Sequence, residues 1–290
     1  MFARAAIMGQ NRAAAPFFHM AIIWLRVALG FYGLGLLYIL VALTRTREAL
    51  NRLALHAAYL GMVFHFVGIA ETVQQTGELS LASVSVNSSV LGFLIMVVFL
   101  LVYLVYQTTS PGIFVFPLVF VLTFLGAAGQ QPFVSVSSAA RTGWLVIHIS
   151  LILAGYAALI VSFAASLIYL LQEHALKAKA GGGLFSRLPA LQVTDEIGFR
   201  SLLIGFPFMT IGLIAGMVIA QATFGYVDFR DPKILFSLLM WAVYLVLLYT
   251  RWSAGWRGRK AALLAATAFG MAVVAWAANY FSSIHRLARP

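Results

Sequence analysis

The 290-residue sequence contains no cysteine, and its eight acidic residues are far outnumbered by nineteen basic ones. The absence of cysteine excludes disulfides, thiolate metal sites and thiol redox relays carried by this chain. No two carboxylates lie close together deep within an apolar stretch, so no pair is placed for general acid–base catalysis. Charged residues make up 9% of the chain, whereas an ordinary soluble domain carries about 25%. The sequence therefore lacks the polar surface of a soluble enzyme.

Apolar residues, in contrast, make up 62% of the chain, and the mean hydropathy is +0.96. A water-soluble globule could not hide so much apolar surface, so the bilayer must be the solvent. We predict an all-α, polytopic membrane helix bundle of about eight transmembrane helices, because only helices satisfy every backbone polar group within a single segment in lipid. The predicted spans are Ala21–Leu43, Leu53–Ala70, Val90–Tyr106, Ile113–Ala128, Trp144–Leu171, Ser201–Ala220, Ile234–Tyr249 and Ala261–Tyr280.

The basic residues of the loops predict the orientation of the bundle. Loops that would share one membrane face carry eleven Lys and Arg residues, and those on the other face carry seven. By the positive-inside rule the richer face is cytoplasmic, which places both termini outside. We expect a multi-pass protein of the bacterial inner (plasma) membrane. The net charge of +11 then indicates contact with anionic lipid and not with nucleic acid, because no basic, aromatic surface domain is present.

These spans predict one integral-membrane domain over residues 1–290, with little chain outside the bilayer. A short cytoplasmic loop is expected over residues 173–200, where a Gly triplet and Pro189 indicate a flexible turn. The polar segment 72–89 is expected to form a short amphipathic piece at the outer surface. Residues 221–233 form a second outer segment, which mixes aromatic and charged side chains.

Three of the six histidines are candidate metal ligands, because buried ionisable residues are costly in a membrane and neutral imidazole binds heme iron. His65 lies within the second span. His148 opens the fifth span and His285 follows the eighth, so the topology places both at the outer face. Two imidazoles at one depth could hold one planar metal complex from either side. The alternatives are a hydrogen bond to a neighbouring helix for His65 and unrelated interfacial positions for the other two.

Several motifs resemble the cytochrome c assembly proteins of the CcsA/ResC type, and within them the HemX-like branch. Residues 148–150 and 155–159, His-Ile-Ser and Gly-Tyr-Ala-Ala-Leu, are similar to the family's His-x-Ser and Ser-Tyr-Ala-x-Leu. Residues 205–216 resemble its Gly-Phe-Pro and Thr-x-Gly-x-x-x-Gly. Residues 186–192 are similar to the Arg-x-Pro-Pro-Leu-Gln of the HemX-like branch.

The resemblance implies an outer heme-binding loop at residues 221–233, but this loop departs from the family pattern. The family's Trp-Gly-x-x-Trp-x-Trp-Asp-Pro-Lys-Glu reads here Phe-Gly-Tyr-Val-Asp-Phe-Arg-Asp-Pro-Lys-Ile, so its tryptophans are missing. The departure favours a HemX-like variant over full presentation of heme to apocytochrome. The candidate heme-contacting residues of this segment are Phe224, Gly225, Phe229, Arg230, Asp231 and Lys233, with Arg230 or Lys233 near the propionates.

The resemblance also implies two pairs of heme-ligating histidines. His148 and His285 match the outer pair and are the expected ligands of the iron of a non-covalent heme b. His65 matches one histidine of an internal pair, whereas the other internal position is Tyr249, which weakens or removes that site.

The expected function is heme handling during cytochrome c maturation, as in system II transport and presentation of heme, with no bond-making chemistry assigned to this chain. A ResB/CcsB-like membrane protein and apocytochrome c are the implied partners. Two alternatives stay open: a HemX-like regulator of heme biosynthesis, and a small-molecule permease unrelated to heme.

Overall fold

A computed structural model describes residues 2–44, 48–76, 81, 83–128, 143–179, 188–278 and 281–282. The described chain is built from α-helices joined by short connections. They are α1 (Phe2–Thr44), α2 (Glu48–Thr76), α3 (Val84–Tyr106), α4 (Gly112–Ala128), α5 (Gly143–Lys177), α6 (Leu191–Phe224), α7 (Pro232–Ser253) and α8 (Arg259–Ala277). The all-α prediction is confirmed.

Seven of these helices are long and apolar enough to cross a membrane, while α4 is a shorter apolar helix of 17 residues. Each predicted span falls on one helix, and Pro117 and Pro207 lie within α4 and α6. In lipid, neighbouring helices can cover the carbonyl that a helical proline leaves unbonded. The chain is therefore a multi-pass membrane protein.

Helices extend into the predicted connections and shorten them. The expected cytoplasmic loop 173–200 is helical up to Lys177 and again from Leu191. The expected outer segment 221–233 is helical up to Phe224 and from Pro232. The expected surface piece at residues 72–89 overlaps two helices, because α2 continues to Thr76 and α3 begins at Val84. The apolar stretches that predicted the spans do not show where a helix continues beyond the hydrocarbon region.

The helices of the chain group into two compact units, and the predicted single integral-membrane domain stays a prediction. Unit 1 comprises Met1–Met96 and Phe116–Pro132, and unit 2 comprises Val97–Val115 and Phe133–Pro290. In unit 1 close helix contacts depend on glycine: a Cβ on Gly61 of α2 would lie 2.6 Å from the Tyr32 ring of α1. Small residues of this kind let membrane helices approach without a clash.

In unit 2, α5–α8 surround a core that includes Leu159, Leu202, Met240 and Ala268. One end of this unit is closed by a buried ion pair. The Arg251 guanidinium of α7 donates from both terminal nitrogens to the Asp195 carboxylate of α6, at 2.8 and 2.7 Å. The backbone N–H of Gly258, just before α8, donates to the same carboxylate at 3.0 Å. We call this the inner end and the opposite one the outer end, following the predicted orientation.

Candidate functional site

His148 lies in the second turn of α5 at the outer end of unit 2, where its ring packs against α6. Its Nδ1 lies 2.7 Å from the backbone carbonyl oxygen of Gly212. Because a carbonyl can only accept, Nδ1 carries the proton and donates it. The neutral ring therefore keeps its lone pair on Nε2, and no hydrogen bond to Nε2 is found among the described residues. A histidine fixed in this tautomer by a carbonyl is the usual arrangement for a metal ligand that binds through Nε2.

A glycine of α6 makes room for the His148 ring. A Cβ on Gly216 would lie 2.6 Å from Cε1 of the ring and 3.0 Å from Nδ1. One turn earlier, Gly212 lets α5 approach, because a Cβ there would lie 2.8 Å from Ile152. The imidazole therefore lies against bare helix backbone, and any larger side chain at position 216 would displace it. The position of this histidine thus depends on a helix contact with residues such as Gly212, 64 positions away in sequence.

The connection between α6 and α7 lies at the same end. Gly225 ends α6 in the left-handed region, with φ of 78°, which glycine adopts without steric cost. The Asp228 carboxylate then accepts the backbone N–H of Arg230 at 2.9 Å and shapes the turn. Three aromatic side chains stand exposed around this turn, with Phe224 at 40%, Tyr226 at 61% and Phe229 at 58%. The Arg230 side chain is also exposed. These aromatic faces can cover a flat apolar ring, as the sequence suggested.

Asp231 and Lys233, both predicted to contact heme, hydrogen-bond to α8 and to the chain just after it. Their contact with heme stays a prediction. Asp231 caps α7 by accepting the backbone N–H of Lys233 at 2.9 Å, with Pro232 in the first turn. Its other carboxylate oxygen accepts the hydroxyl proton of Ser282 at 2.7 Å, and both residues are buried. The Lys233 ammonium donates to the backbone carbonyl of Ala275 at 3.0 Å. The Asp-Pro-Lys turn thus joins the outer ends of α7 and α8.

This turn lies at the same end of unit 2 as the histidine, because α5 begins, α6 ends and α7 begins at that end. His148, Lys233, Asp231 and Ser282 are therefore grouped at the outer end of unit 2. We refer to them below as the outer cluster.

His65, in unit 1, has a different environment. Its side chain is fully buried, with Nε2 2.9 Å from the Ser89 hydroxyl of α3 and Nδ1 3.4 Å from the Tyr32 hydroxyl of α1. The Tyr32 and Phe93 rings meet it edge-on, with centroids 5.8 and 5.6 Å away. Both ring nitrogens are thus hydrogen-bonded, which matches the alternative interpretation of a histidine satisfied by neighbouring helices. Its role as a heme ligand stays a prediction.

The remaining predicted positions are exposed or lie outside the described residues. Tyr249, which stands where the family's second internal histidine is expected, is 67% exposed on α7. His285 lies outside the described residues, so its place opposite His148 stays a prediction. His174, at the inner end of α5, is exposed, as expected for a histidine with no ligand role.

Sequence reasoning missed three residues of this region: Gly212 and Gly216 as the surface under His148, and Ser282 as the partner of Asp231. The glycines are spaced four apart, which places them on one helix face, and that spacing signals close approach of another helix. Asp before Pro at the start of a span is likewise a helix N-terminus signature. Nothing local marks Ser282, because its partner lies 51 residues earlier.

Fold and site together define a polytopic α-helical membrane protein with a histidine tautomer suited to metal binding at one end. A comparison with protein families narrows this class. The family model described as cytochrome C assembly protein matches residues 25–284, nearly the whole chain. The chain belongs to the cytochrome c assembly protein family.

Curated relatives agree with this assignment. The chain is 35% identical over 158 residues to the cytochrome c biogenesis protein CcsA of Synechococcus sp. (strain CC9902), covering 47% of this chain and 51% of that protein. It is 34% identical over 165 residues to the protein of the same name from Prochlorococcus marinus (strain MIT 9301), covering 50% and 53%. The chain thus spans about half the length of the curated relatives it matches. The comparisons name the CcsA type, and the HemX-like branch stays a prediction.

Proposed function

We propose that this chain handles heme in cytochrome c biogenesis, in the bacterial inner membrane, by binding heme b at the outer cluster of unit 2. The observation that carries the proposal is the hydrogen bond from His148 Nδ1 to the Gly212 carbonyl, at 2.7 Å. It leaves Nε2 as the basic nitrogen of a ring whose orientation is fixed. Membership of the cytochrome c assembly family, and relatives named for cytochrome c biogenesis, support the same role.

In this proposal the residues at the outer end of unit 2 have different roles. His148 and His285 would hold the heme iron through their imidazoles. The exposed rings of Phe224, Tyr226 and Phe229 would cover the apolar porphyrin and keep water from it. Arg230, with its exposed guanidinium, is the residue placed to meet the propionates.

The transport of heme determines what the protein must do. Heme has to be held until a recipient takes it, so the protein supplies binding and orientation and forms no bond to the porphyrin. A ResB/CcsB-like membrane protein and apocytochrome c are the partners that this role requires. The three aromatic side chains stand where the tryptophans or their neighbours lie in the family pattern. They offer a smaller stacking surface than tryptophan.

The test is the visible spectrum of protein purified from heme-sufficient cells. We expect the bands of a bis-histidine b-type heme in the unaltered protein, and their loss in the double variant H148A with H285A. The matched control is H174A, which removes an exposed histidine at the other end of the same helix. The control should keep the full spectrum. A double variant with unchanged bands would remove heme from the outer cluster and reject the proposal.

A further inference from the structure

The connection between α7 and α8 concentrates positive charge at the inner end of unit 2. Residues 251–260 read Arg-Trp-Ser-Ala-Gly-Trp-Arg-Gly-Arg-Lys, with four basic residues and no acidic one. The charge of Arg251 is compensated by its ion pair with Asp195. The other three basic residues are exposed and form no ion pair with a carboxylate of the described residues: Arg257, Arg259 and Lys260. We call residues 252–260 the inner turn.

The inner turn joins two membrane spans and therefore lies at a membrane surface. α7 and α8 are each long and apolar enough to cross a bilayer, and residues 254–258 alone connect them. Two tryptophans of this turn are exposed, Trp252 at 83% and Trp256 at 37%. Tryptophan is enriched where the hydrocarbon meets the headgroups. The Lys260 ammonium lies 5.5 Å from the centre of the Trp256 ring, so charge and aromatic surface are presented together.

Backbone contacts hold the inner turn in one shape. The N–H of Gly258 donates to the Asp195 carboxylate at 3.0 Å, and the N–H of Trp256 donates to the Thr250 carbonyl at 3.2 Å. Gly255 and Gly258 have φ of 63° and 65°, in the left-handed region that glycine adopts without steric cost. The backbone that carries the three basic side chains is therefore preorganised, and less order is lost when they bind.

Other exposed basic residues toward the inner end have acidic neighbours. The Lys177 ammonium of α5 lies 2.7 Å from the Glu173 carboxylate, and Arg200 of α6 lies 2.6 Å from Glu196. Each of these cations is compensated by a carboxylate one helical turn away. Within the part of the chain that the structure describes, the inner turn has no such compensation. Its surface is therefore complementary to negative charge supplied from outside the chain.

We propose that the inner turn binds the phosphate groups of anionic phospholipid. Basic residues next to a membrane span are attracted to an anionic leaflet, and the predicted orientation places this end in the cytoplasmic leaflet. The guanidinium groups of Arg257 and Arg259 can each donate paired hydrogen bonds to a phosphate. A lipid fits better than an acidic protein segment, because the exposed tryptophans stand at the level of the headgroups. This site goes beyond the proposed function and does not depend on heme.

Quenching of tryptophan fluorescence by brominated lipid tests the proposal in the full chain. The protein is placed in phosphatidylcholine vesicles that contain either brominated phosphatidylglycerol or brominated phosphatidylcholine at the same mole fraction. Subtracting the signal of the double variant W252F with W256F isolates the inner turn. We expect a preference of at least about tenfold for the anionic lipid, because each basic residue near an anionic surface contributes about fivefold.

Two triple variants separate a specific surface from net charge. The first neutralises the inner turn with R257Q, R259Q and K260Q. The matched control, which has the same net charge, carries K177Q, K179Q and R200Q, all exposed toward the same end. The first should quench equally with both lipids, whereas the control should keep the preference. In the unaltered chain, 1 M salt should abolish the preference, because the screening length falls to about 3 Å.

Three results would overturn the proposal. Equal quenching of the unaltered chain by the two lipids is expected if the inner turn docks an acidic protein segment instead. An equal loss of preference in both triple variants would show that net charge, and not this surface, attracts the lipid. A preference that survives in 1 M salt would show that the attraction is not electrostatic.

Discussion

His65 and His148 are the same residue in two settings, one enclosed by unit 1 and one at the outer end of unit 2. Both His65 nitrogens are hydrogen-bonded, to Ser89 and Tyr32, within a fully buried packing. His148 makes one hydrogen bond, to a backbone carbonyl, and its ring is partly open. A carbonyl acceptor determines which nitrogen keeps its lone pair, whereas two hydroxyls, which can donate or accept, leave both tautomers possible. Of the two, only His148 keeps a ring nitrogen without a hydrogen bond among the described residues.

The largest effect is expected from a variant that displaces the His148 ring while leaving residue 148 itself unchanged. G216A places a methyl group against the imidazole, where a Cβ would lie 2.6 Å from Cε1, so the ring must leave its position. Loss of a group that orients a metal ligand typically costs about 10- to 100-fold in affinity, and we expect a loss of that size for heme. Hemin titration followed by absorbance measures it.

The control for that variant is G270A in α8, where an added Cβ meets nothing within 4 Å. It carries the same Gly-to-Ala change in a helix, which by itself stabilises by about 0.5–1 kcal/mol. G270A should bind heme as the unaltered protein does. Equal affinities for G216A and G270A would show that the glycine surface does not position the ligand.

A smaller effect is expected when the His65 contacts are removed. S89A and Y32F each delete one hydroxyl partner of His65 and leave a buried polar atom unsatisfied, which costs about 1–3 kcal/mol. Thermal unfolding in detergent should therefore begin at lower temperature, while the heme spectrum stays the same. A spectral change in both variants, with normal stability, would instead make His65 a ligand and reverse the comparison.

The smallest expected effect concerns the aromatic cover of the outer cluster. F229A removes a ring that is 58% exposed and stands at the turn between α6 and α7. Aromatic pairs contribute about 0.5–1.5 kcal/mol beyond the burial of area, so heme affinity should fall about threefold to tenfold. The dissociation rate of heme into an excess of apomyoglobin measures the change. F208A, on the partly exposed surface of α6, is the matched control and should leave that rate unaltered.

Much of the fold followed from the sequence, because a lipid solvent permits few structures. A run of apolar residues must be a helix, and each of the eight predicted spans falls on one. Helix ends were harder: α5 continues to Lys177 and α6 begins at Leu191, beyond the hydrophobic pattern. The amino-acid sequence carries no local signal for the grouping into two units, because this grouping depends on which helices contact each other and not on their composition.

The candidate site was predictable only in part. His148 was found because a histidine at the end of an apolar span is unusual and a family motif surrounds it. The hydrogen bonds of Asp231 and Lys233 were not, because their partners, Ser282 just after α8 and Ala275 within α8, lie far away in sequence. The buried Asp195–Arg251 pair was missed for the same reason. Long-range pairs of this kind can be identified only from the structure.

The most direct test of the central claim is an equilibrium titration of hemin into detergent-purified, heme-free protein, with H148A and H65A measured beside it. We expect a complex that saturates at about one heme per chain. We also expect H148A to weaken binding by at least about a hundredfold, whereas H65A should leave the affinity of the outer cluster unaltered because both nitrogens of that ring are hydrogen-bonded to other residues. Equal binding by H148A and the unaltered chain, or loss of the complex in H65A alone, would contradict it.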